Sequence, residues 1–209
     1  MKKLILCTLT LLGAMNLSMA QTEMKTIFGS KEGQKVKVDG FGSMDFMVSK
    51  VIDQESMQIG AHGGIILNKK LMLGAGGYGI VTQHKFDGVF PQQPLNLYGG
   101  YGGLLIGFNV APREAIHASF PVIIGAGGID IADRDFFPNA GPEFEEYIIE
   151  SSAFFVIHPM ANIEINMTKF FRLAAGVGYR HVSGTDLVNI KDEDLTSWTA
   201  NVSFKFGGF

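Results

Sequence analysis

The residue types able to do chemistry fall into a few groupings along the 209-residue chain. His117 and Ser119 stand two apart, so on a strand they project from one face. With a carboxylate such as Glu164 they supply the base, nucleophile and orienting acid of acyl transfer. His62, His117 and His158 are ligands of the kind zinc takes, three or four converging at about 2 Å. Nothing in their spacing forces them together. GAGGYG at 74–79 satisfies the GxGxxG pattern, but a dinucleotide turn must open an amphipathic helix, and the β-branched Ile80, Val81 and Thr82 follow it. It reads as a glycine cluster. Arg172, Arg180 and Lys205 stand as cations against Asp45 and Glu164. The segment 132–150 sets Asp133, Asp135, Glu143, Glu145, Glu146 and Glu150 around Phe136, Phe137, Phe144 and Tyr147, without the ligand spacing of a calcium loop.

What these groups can do depends on the elements that hold them. In LTSWTANVSFKFGGF at 195–209, Trp198, Ala200, Val202, Phe204 and Phe206 alternate with Thr199, Asn201, Ser203 and Lys205. This is the period-2 mark of a strand with one apolar and one polar face. At 36–51, Met44, Phe46 and Val48 oppose Ser43, Asp45 and Ser49; at 56–67, Met57, Ile59, Ala61, Gly63 and Ile65 oppose Gln58, Gly60, His62 and Gly64. Strands three and four are expected at 70–82 and 95–108. In the fifth, 115–131, Ile116, Ala118, Phe120, Val122 and Ile124 oppose His117, Ser119 and Pro121. In the sixth, 152–167, Phe155, Ile157, Pro159, Ala161, Ile163 and Ile165 oppose His158, Asn162 and Glu164, with Pro159 taken as a local bulge because proline forfeits a ladder donor. The seventh sets Phe171, Leu173, Ala175, Val177 and Tyr179 against Arg172, Ala174, Gly176, Gly178 and Arg180.

Eight strands result, and their connections alternate. Those at 68–69, 109–113 and 167–169 are short; those at 83–94, 132–150 and 183–194 are long. A soluble sandwich has no reason to sort loop lengths by end, whereas an outer-membrane barrel does. The short turn at 53–55 breaks the alternation.

Composition narrows the class. Lys2 and Lys3, an apolar run to about Met15 and Ser18-Met19-Ala20 read as a secretory signal peptide over 1–20, too short to span a bilayer as a helix. Residues 21–35 are a polar, patternless leader, and 36–209 the barrel. The one cysteine, Cys7, falls in the signal, so the mature chain is expected to cross an oxidising compartment without a thiol. Without the two signal lysines, 15 basic side chains face 20 acidic ones, a balance that excludes nucleic acid as a partner. With 46% hydrophobic residues, 27 Gly, 17 Phe and no later apolar run of spanning length, the chain is a soluble β-protein or a membrane β-barrel.

The aromatic-rich last strand, ending at Phe209, resembles the C-terminal strand of bacterial outer-membrane β-barrels, which the barrel assembly machinery reads. Glycine clusters in LNKKLMLGAGGYGIV and LYGGYGGLLIGFNVAPREAIHASFPVIIGAGGIDI resemble small glycine-rich outer-membrane β-barrel proteins of Bacteroidota, of the OmpX/OmpA-like type, over about 40–209. The likeness implies a fold and a place in the cell, and no reaction. His117-x-Ser119 is similar to the pair in outer-membrane lipid A deacylases, but those must reach an acyl chain in the bilayer, and this pair lies on the polar face.

The fold expected is therefore all-β: an eight-stranded antiparallel up-and-down transmembrane β-barrel in the cell outer membrane. Its interior is only just wide enough for side chains. Inward glycine and alanine then leave room for large groups such as Arg172 and Arg180, and charges pair across neighbouring strands. Tyr179, Trp198 and Phe204 are expected at or near the interfaces. The function expected is that of a non-enzymatic barrel with a packed lumen and surface loops for partner binding or envelope integrity. A narrow channel, a lipid hydrolase and a soluble lipocalin-like ligand binder are the alternatives. The last is disfavoured because Phe171, Leu173, Val177, Val202 and Phe204 lie opposite the charged set. Expected partners are outer-membrane lipid, the assembly machinery through the last strand, and a surface ligand at the long loops. No catalytic, cofactor-binding or metal-binding residue is assigned.

Overall fold

The computed structural model describes residues 36–82, 85–86, 95–132, 148–188 and 190–209. The expected signal peptide and leader, and most of the segments 83–94 and 132–150, lie outside the described residues. The elements are β1 (Val38–Val51), β2 (Gln54–Leu67), β3 (Leu71–Ile80), β4 (Lys85–Phe86), β5 (Leu95–Val110), β6 (Ile116–Ala132), β7 (Ile148–Asn166), β8 (Phe171–Ser183), a single-turn α1 (Asp192–Leu195) and β9 (Ser197–Gly207). Each long strand pairs antiparallel with the next, and β4 extends the rim along β5. The first strand pairs the last, from Phe41 opposite Gly207 to Ser49 opposite Thr199. The wall is thus a closed, all-antiparallel, up-and-down barrel of eight strands. Closure removes the sheet edges that would otherwise recruit another chain.

The pairing fixes the shape. From His117 the row of opposed residues runs through Glu164, Ala174, Ser203, Asp45, Gly60, Tyr78, Tyr101 and Gly127 to Phe154. A circuit leaving β7 at Glu164 therefore returns to it at Phe154, ten residues along the same strand. With usual strand spacings, that stagger over eight strands tilts them by roughly 40°. The interior of such a barrel is filled by side chains rather than left as a pore.

Alternation decides which side chains fill it. Every face read from the sequence for the first, second, fifth, sixth, seventh and eighth strands is the face observed. In β1, Ser43, Asp45, Met47 and Ser49 are buried while Met44, Phe46 and Val48 are exposed. In β9, Thr199, Asn201, Ser203 and Lys205 are buried while Trp198, Val202 and Phe206 are exposed. Polar groups lie inside and large apolar ones outside, the reverse of a soluble protein. On β8 the outward set runs from Phe171 to Tyr179 before His181 and Ser183 follow. Eight residue steps are about 26 Å along the strand and roughly 20 Å in height at that tilt, close to the apolar band of an outer-membrane barrel. Aromatic residues mark both borders. Tyr179 and Trp198 pack edge to face with ring centroids 5.2 Å apart at one end, and Phe171 stacks on Phe206 at 5.1 Å at the other. Phe204 lies inside the latter border, edge-on to Phe46.

Three local expectations are corrected. Pro159 is not a bulge. Rungs are missing between Ile157–His181 and Met160–Gly178 on one side, and between Ser119–Asn162 and Val122–Pro159 on the other, yet the register is unchanged across both gaps. Pro121 and Pro159 each forfeit a donor, and the strongly paired flanks hold the strands in line. The register shift in this ladder falls instead at Ile131/Ala132. The sixth strand, β7, begins at Ile148 rather than 152. The first hairpin turns at Ile52 and Asp53, with φ of 51° and 57°, and residues 54–55 already belong to β2. Two consecutive left-handed residues make the tight turn whose twist suits a hairpin. A β-branched residue is unusual there. It is held because the Ile52 N–H donates to Asp194 O at 2.8 Å and the side chain packs on the apolar cap.

Candidate functional site

The chemistry-bearing residues gather in the lumen, in two carboxylate nests. Asp45 on β1 accepts from Ser43 Oγ (2.8 Å), His62 Nδ1 (2.6 Å) and Tyr78 Oη (3.0 Å). Glu164 on β7 accepts from Lys205 Nζ, from His117 Nε2 (3.2 Å) and, at a longer 3.5 Å, from Arg172 Nη1. All these side chains are buried. A charge so placed is tolerable only when paired and hydrogen-bonded, and each carboxylate here has three donors.

Expected charge pairing holds for Glu164 and fails for Asp45 and Arg180. The stagger places Asp45 on the same row as Glu164 but three strands away, with Ser203 and Gly60 as its neighbours. Lys205, opposite Arg172, reaches Glu164 instead. Arg180 has a third role. Its Nε donates to Leu195 O at 2.9 Å and its Nη2 to Lys50 O at 3.2 Å, and it faces the Tyr101 ring at 5.8 Å.

Inward glycines make room for rings, as at Gly60 and Gly127, or for the backbone of the neighbouring strand, as at Gly64, Gly74, Gly103 and Gly125, rather than for the arginines. Between Asp45 and Tyr78 in the row lies Gly60, where a Cβ would fall 2.2 Å from Tyr78 Cδ1. Tyr78 leans across that gap to the carboxylate. Phe154 leans across Gly127 in the same way. Tyr101 stacks on Tyr78 at 5.4 Å and donates to His158 Nδ1 at 2.9 Å; His158 Nε2 then donates to Thr199 Oγ1 at 3.0 Å. The alanines of the clusters, Ala61, Ala75 and Ala126, point outward.

Both ends of the lumen are capped. At the end bearing the long connections, Ile190 and Leu195 are buried against Val51, Ile131 and Val182, with Arg180 holding the carbonyl that ends α1. At the short-turn end, Arg172 lies over the Phe209 ring at 3.8 Å and donates to Pro112 O at 3.5 Å. Between them, under Tyr101, Phe154 and Arg180, the interior leaves a space of about 20 Å³, enough for a single water.

The candidate sites named from sequence are placed as follows. The three histidines do not converge: His62 goes to Asp45, His117 to Glu164 and His158 to Tyr101 and Thr199. Among the described residues no group of metal-ligating side chains forms. His117 and Glu164 do meet, but no hydrogen bond joins Ser119 Oγ to His117, whose Nε2 goes to Glu164 and whose Nδ1 has no partner among the described residues, so the serine is not held by the base. The pair also faces the lumen, away from lipid. GAGGYG at 74–79 lies within β3, and among the described residues no helix opens at its third glycine. The acidic residues 133–146 lie outside the described residues; Glu150 accepts from the Val188 N–H at 3.4 Å. Sequence reasoning missed Tyr78 as a partner of the Asp45 nest and Tyr101 as the partner of His158. The signal was available, since each is a lone large polar ring on an inward face of glycine.

An apolar girdle between aromatic borders, closed strands and a polar filled lumen together define a β-barrel of the transmembrane type. No protein-family model matches the chain, and no curated protein is similar to it in sequence. Among solved structures, Neisserial surface protein A aligns with a TM-score of 0.51 at 8% identity, over 84% of this chain and 99% of the other. The N-terminal β-barrel domain of OprF from Pseudomonas aeruginosa aligns at 0.44 and 10%, over 82% and 99%. The outer membrane protein OprG from the same organism aligns at 0.44 and 10%, over 85% and 99%. At such identities the first likeness carries the fold alone: this chain shares the fold of small outer-membrane barrels.

Proposed function

We propose that the chain is a non-enzymatic protein of the outer membrane whose lumen is a structural plug and whose long loops carry its binding role at the cell surface. The observation that supports this most directly is the lumen. It is crossed by two saturated carboxylate nests, stacked tyrosines and caps at both ends, inside an apolar wall. Interactions of this kind rigidify a barrel and leave no through-path for solutes. The alternation of turns and loops supports an orientation with the short turns in the periplasm and the long connections outside. The final strand is then the element offered to the assembly machinery, and lipid is the partner of the wall.

Planar-bilayer recording on the folded protein tests the plug. A baseline without conductance steps is expected, together with a band on unboiled gels that shifts on heating. Reproducible unitary steps in the intact protein would establish the channel reading instead. Turnover of labelled lipid A that disappears in Ser119→Ala would establish the hydrolase.

A further inference from the structure

The outward face of β1, β2 and β9 carries an open groove of about 890 Å³ toward the long-connection end, continued along the wall by a second of about 250 Å³. The two share Val48, Met57 and Ala200. A step in side-chain size makes the groove. Ala200 is a small outward residue set directly between Val48 of β1 and Val177 of β8, and Trp198 follows two residues along the same face. Trp198 rests edge-on against Tyr179, on the β8 side, so its other side forms one bank. Met57 forms the opposite bank, its backbone N–H fixed to Thr82 Oγ1 at 2.7 Å. Phe46, edge-on to Phe204, lies at the lower end. Trp198 is 71% exposed, and Val48, Met57 and Val177 are each more than half exposed. The groove is thus open to whatever surrounds the wall.

On an apolar wall the surroundings are hydrocarbon, where water finds no hydrogen bonds and an unfilled groove forfeits dispersion contacts. An acyl chain is what fits along its floor. The mouth selects the headgroup above that chain. The ladder between β1 and β9 ends at Ser49 opposite Thr199, so the next outward residue of β1, Lys50, stands beside Trp198 without a rung between them. Lys50 and Glu55 are directly opposed on the β1–β2 ladder, both are exposed, and both line the groove. Neither is in an ion pair among the described residues. One cation and one anion therefore stand side by side at the Tyr179–Trp198 aromatic border, the level of lipid headgroups. A purely anionic headgroup would be drawn to Lys50 and repelled by Glu55, whereas a phosphate joined to a primary ammonium satisfies both.

We infer that this groove is a lipid site that takes one acyl chain of a phosphatidylethanolamine, with the phosphate at Lys50 and the ammonium at Glu55. The chain lies over Val48 and Ala200, between Trp198 and Met57, and ends near Phe46. The site rests on the reading, proposed above, that the wall lies in a bilayer. It does not depend on which way the barrel faces.

Trp198 is the sole tryptophan of the chain, so its fluorescence reports on this groove. The mature chain is folded into vesicles of equal parts phosphatidylethanolamine and phosphatidylglycerol. In one series only the phosphatidylethanolamine carries dibrominated chains, and in the other only the phosphatidylglycerol does, so headgroup composition stays fixed while the quencher changes place. Stronger quenching is expected from the brominated phosphatidylethanolamine, corresponding to a preference of about threefold, the worth of an exposed charge pair. The double variant Lys50→Gln, Glu55→Gln should bring the two series together without lowering their mean. Ala200→Phe, which fills the floor and leaves both charges in place, should also bring them together. Lys191→Gln, elsewhere on the same end, should leave the preference unchanged. Equal quenching in the parent, a preference for phosphatidylglycerol, or a preference that survives either the double variant or Ala200→Phe would overturn the site. Flotation and the heat-shifted band are read on the same samples. A parent chain that does not float with the vesicles would refute the membrane reading itself, whereas one that floats, shifts on heating and shows no preference refutes the site alone.

Discussion

Glu164 is the residue on which most of the buried charge depends. Lys205, Arg172 and His117 all face it, and each side chain is buried. Removing one partner of such a set leaves the others as uncompensated buried charges, which costs about 3–5 kcal/mol. Glu164→Gln is therefore expected to lower the unfolding free energy, measured by urea titration in lipid vesicles, by an amount of that order. Adding Lys205→Met to it should recover part of the loss, because the two changes share one interaction. Equal stability of Glu164→Gln and the parent would contradict a charged nest. Asp192, outside the wall, offers a pH test. The N–H groups of Thr185 and Gly184 donate to its carboxylate at 2.8 and 3.1 Å, and these bonds hold it below the ordinary aspartate value. Since the folded value is the lower one, the contribution to loop order is complete above about pH 3.9 and is lost as pH falls through the depressed value. The Thr185 and Gly184 amide resonances should therefore titrate together with a midpoint below about 3.9. A midpoint at or above it would mean that the carboxylate does not accept those bonds.

At the scale of elements, the glycines divide by face. A Cβ on the inward Gly60 would strike Tyr78 and the Gly77 carbonyl, whereas one on the outward Gly79 would meet nothing within 4 Å. Gly60→Ala must displace a ring and a paired backbone, so it should cost about 1–3 kcal/mol by unfolding in vesicles. Gly79→Ala should stay within about 0.5 kcal/mol of the parent. Comparable losses at the two positions would sink the idea that ring packing selects the lumen glycines. The same elements show what the sequence could and could not convey. Strand faces were legible because alternation is local: Met44, Phe46 and Val48 announce the outside of β1 with no knowledge of any neighbour. The turn at Ile52 was not, because an isoleucine reads as strand and only its contact with Asp194 holds it left-handed. A single strand shows the donor that Pro159 loses and not the two neighbours that keep it in register. The partners of Asp45 and Arg180 depend on the ten-residue stagger, a property of closure that no one strand carries. Of the candidate site, the inward residues were therefore legible one by one, and of their groupings only the one around Glu164 was.

For the whole molecule, charge is sorted by end. Among the described residues, the long-connection end carries Asp53, Glu55, Asp130, Glu150, Asp186, Asp192, Glu193 and Asp194 against Lys50 and Lys191, whereas the short-turn end carries Lys37, Lys69, Lys70, Arg113 and Lys169 against Asp39 and Glu114. Neither fold closure nor lumen packing requires this, since all of these side chains lie beyond the apolar wall. It is intelligible if the two ends meet different surroundings: a basic rim among phospholipid phosphates, and an acidic rim outside. The wall agrees, because β5, β6 and β7 run to 16, 17 and 19 residues. About 9–11 residues suffice to cross, so these strands extend past the apolar band, and their excess lies on the acidic side, where Asp130 and Glu150 sit. Orientation can be read with introduced thiols, since the sequence has one cysteine, Cys7, in the segment read as a signal peptide. Glu193→Cys on α1 is expected to react with a membrane-impermeant maleimide on intact cells. Glu114→Cys, in a short turn, should react only after the outer membrane is permeabilised. The reverse pattern would put the basic rim on the cell surface and the acidic rim in the periplasm. Reaction of both thiols in an osmotic-shock extract, free of membrane, would instead mean that the exposed apolar girdle is covered by something other than lipid.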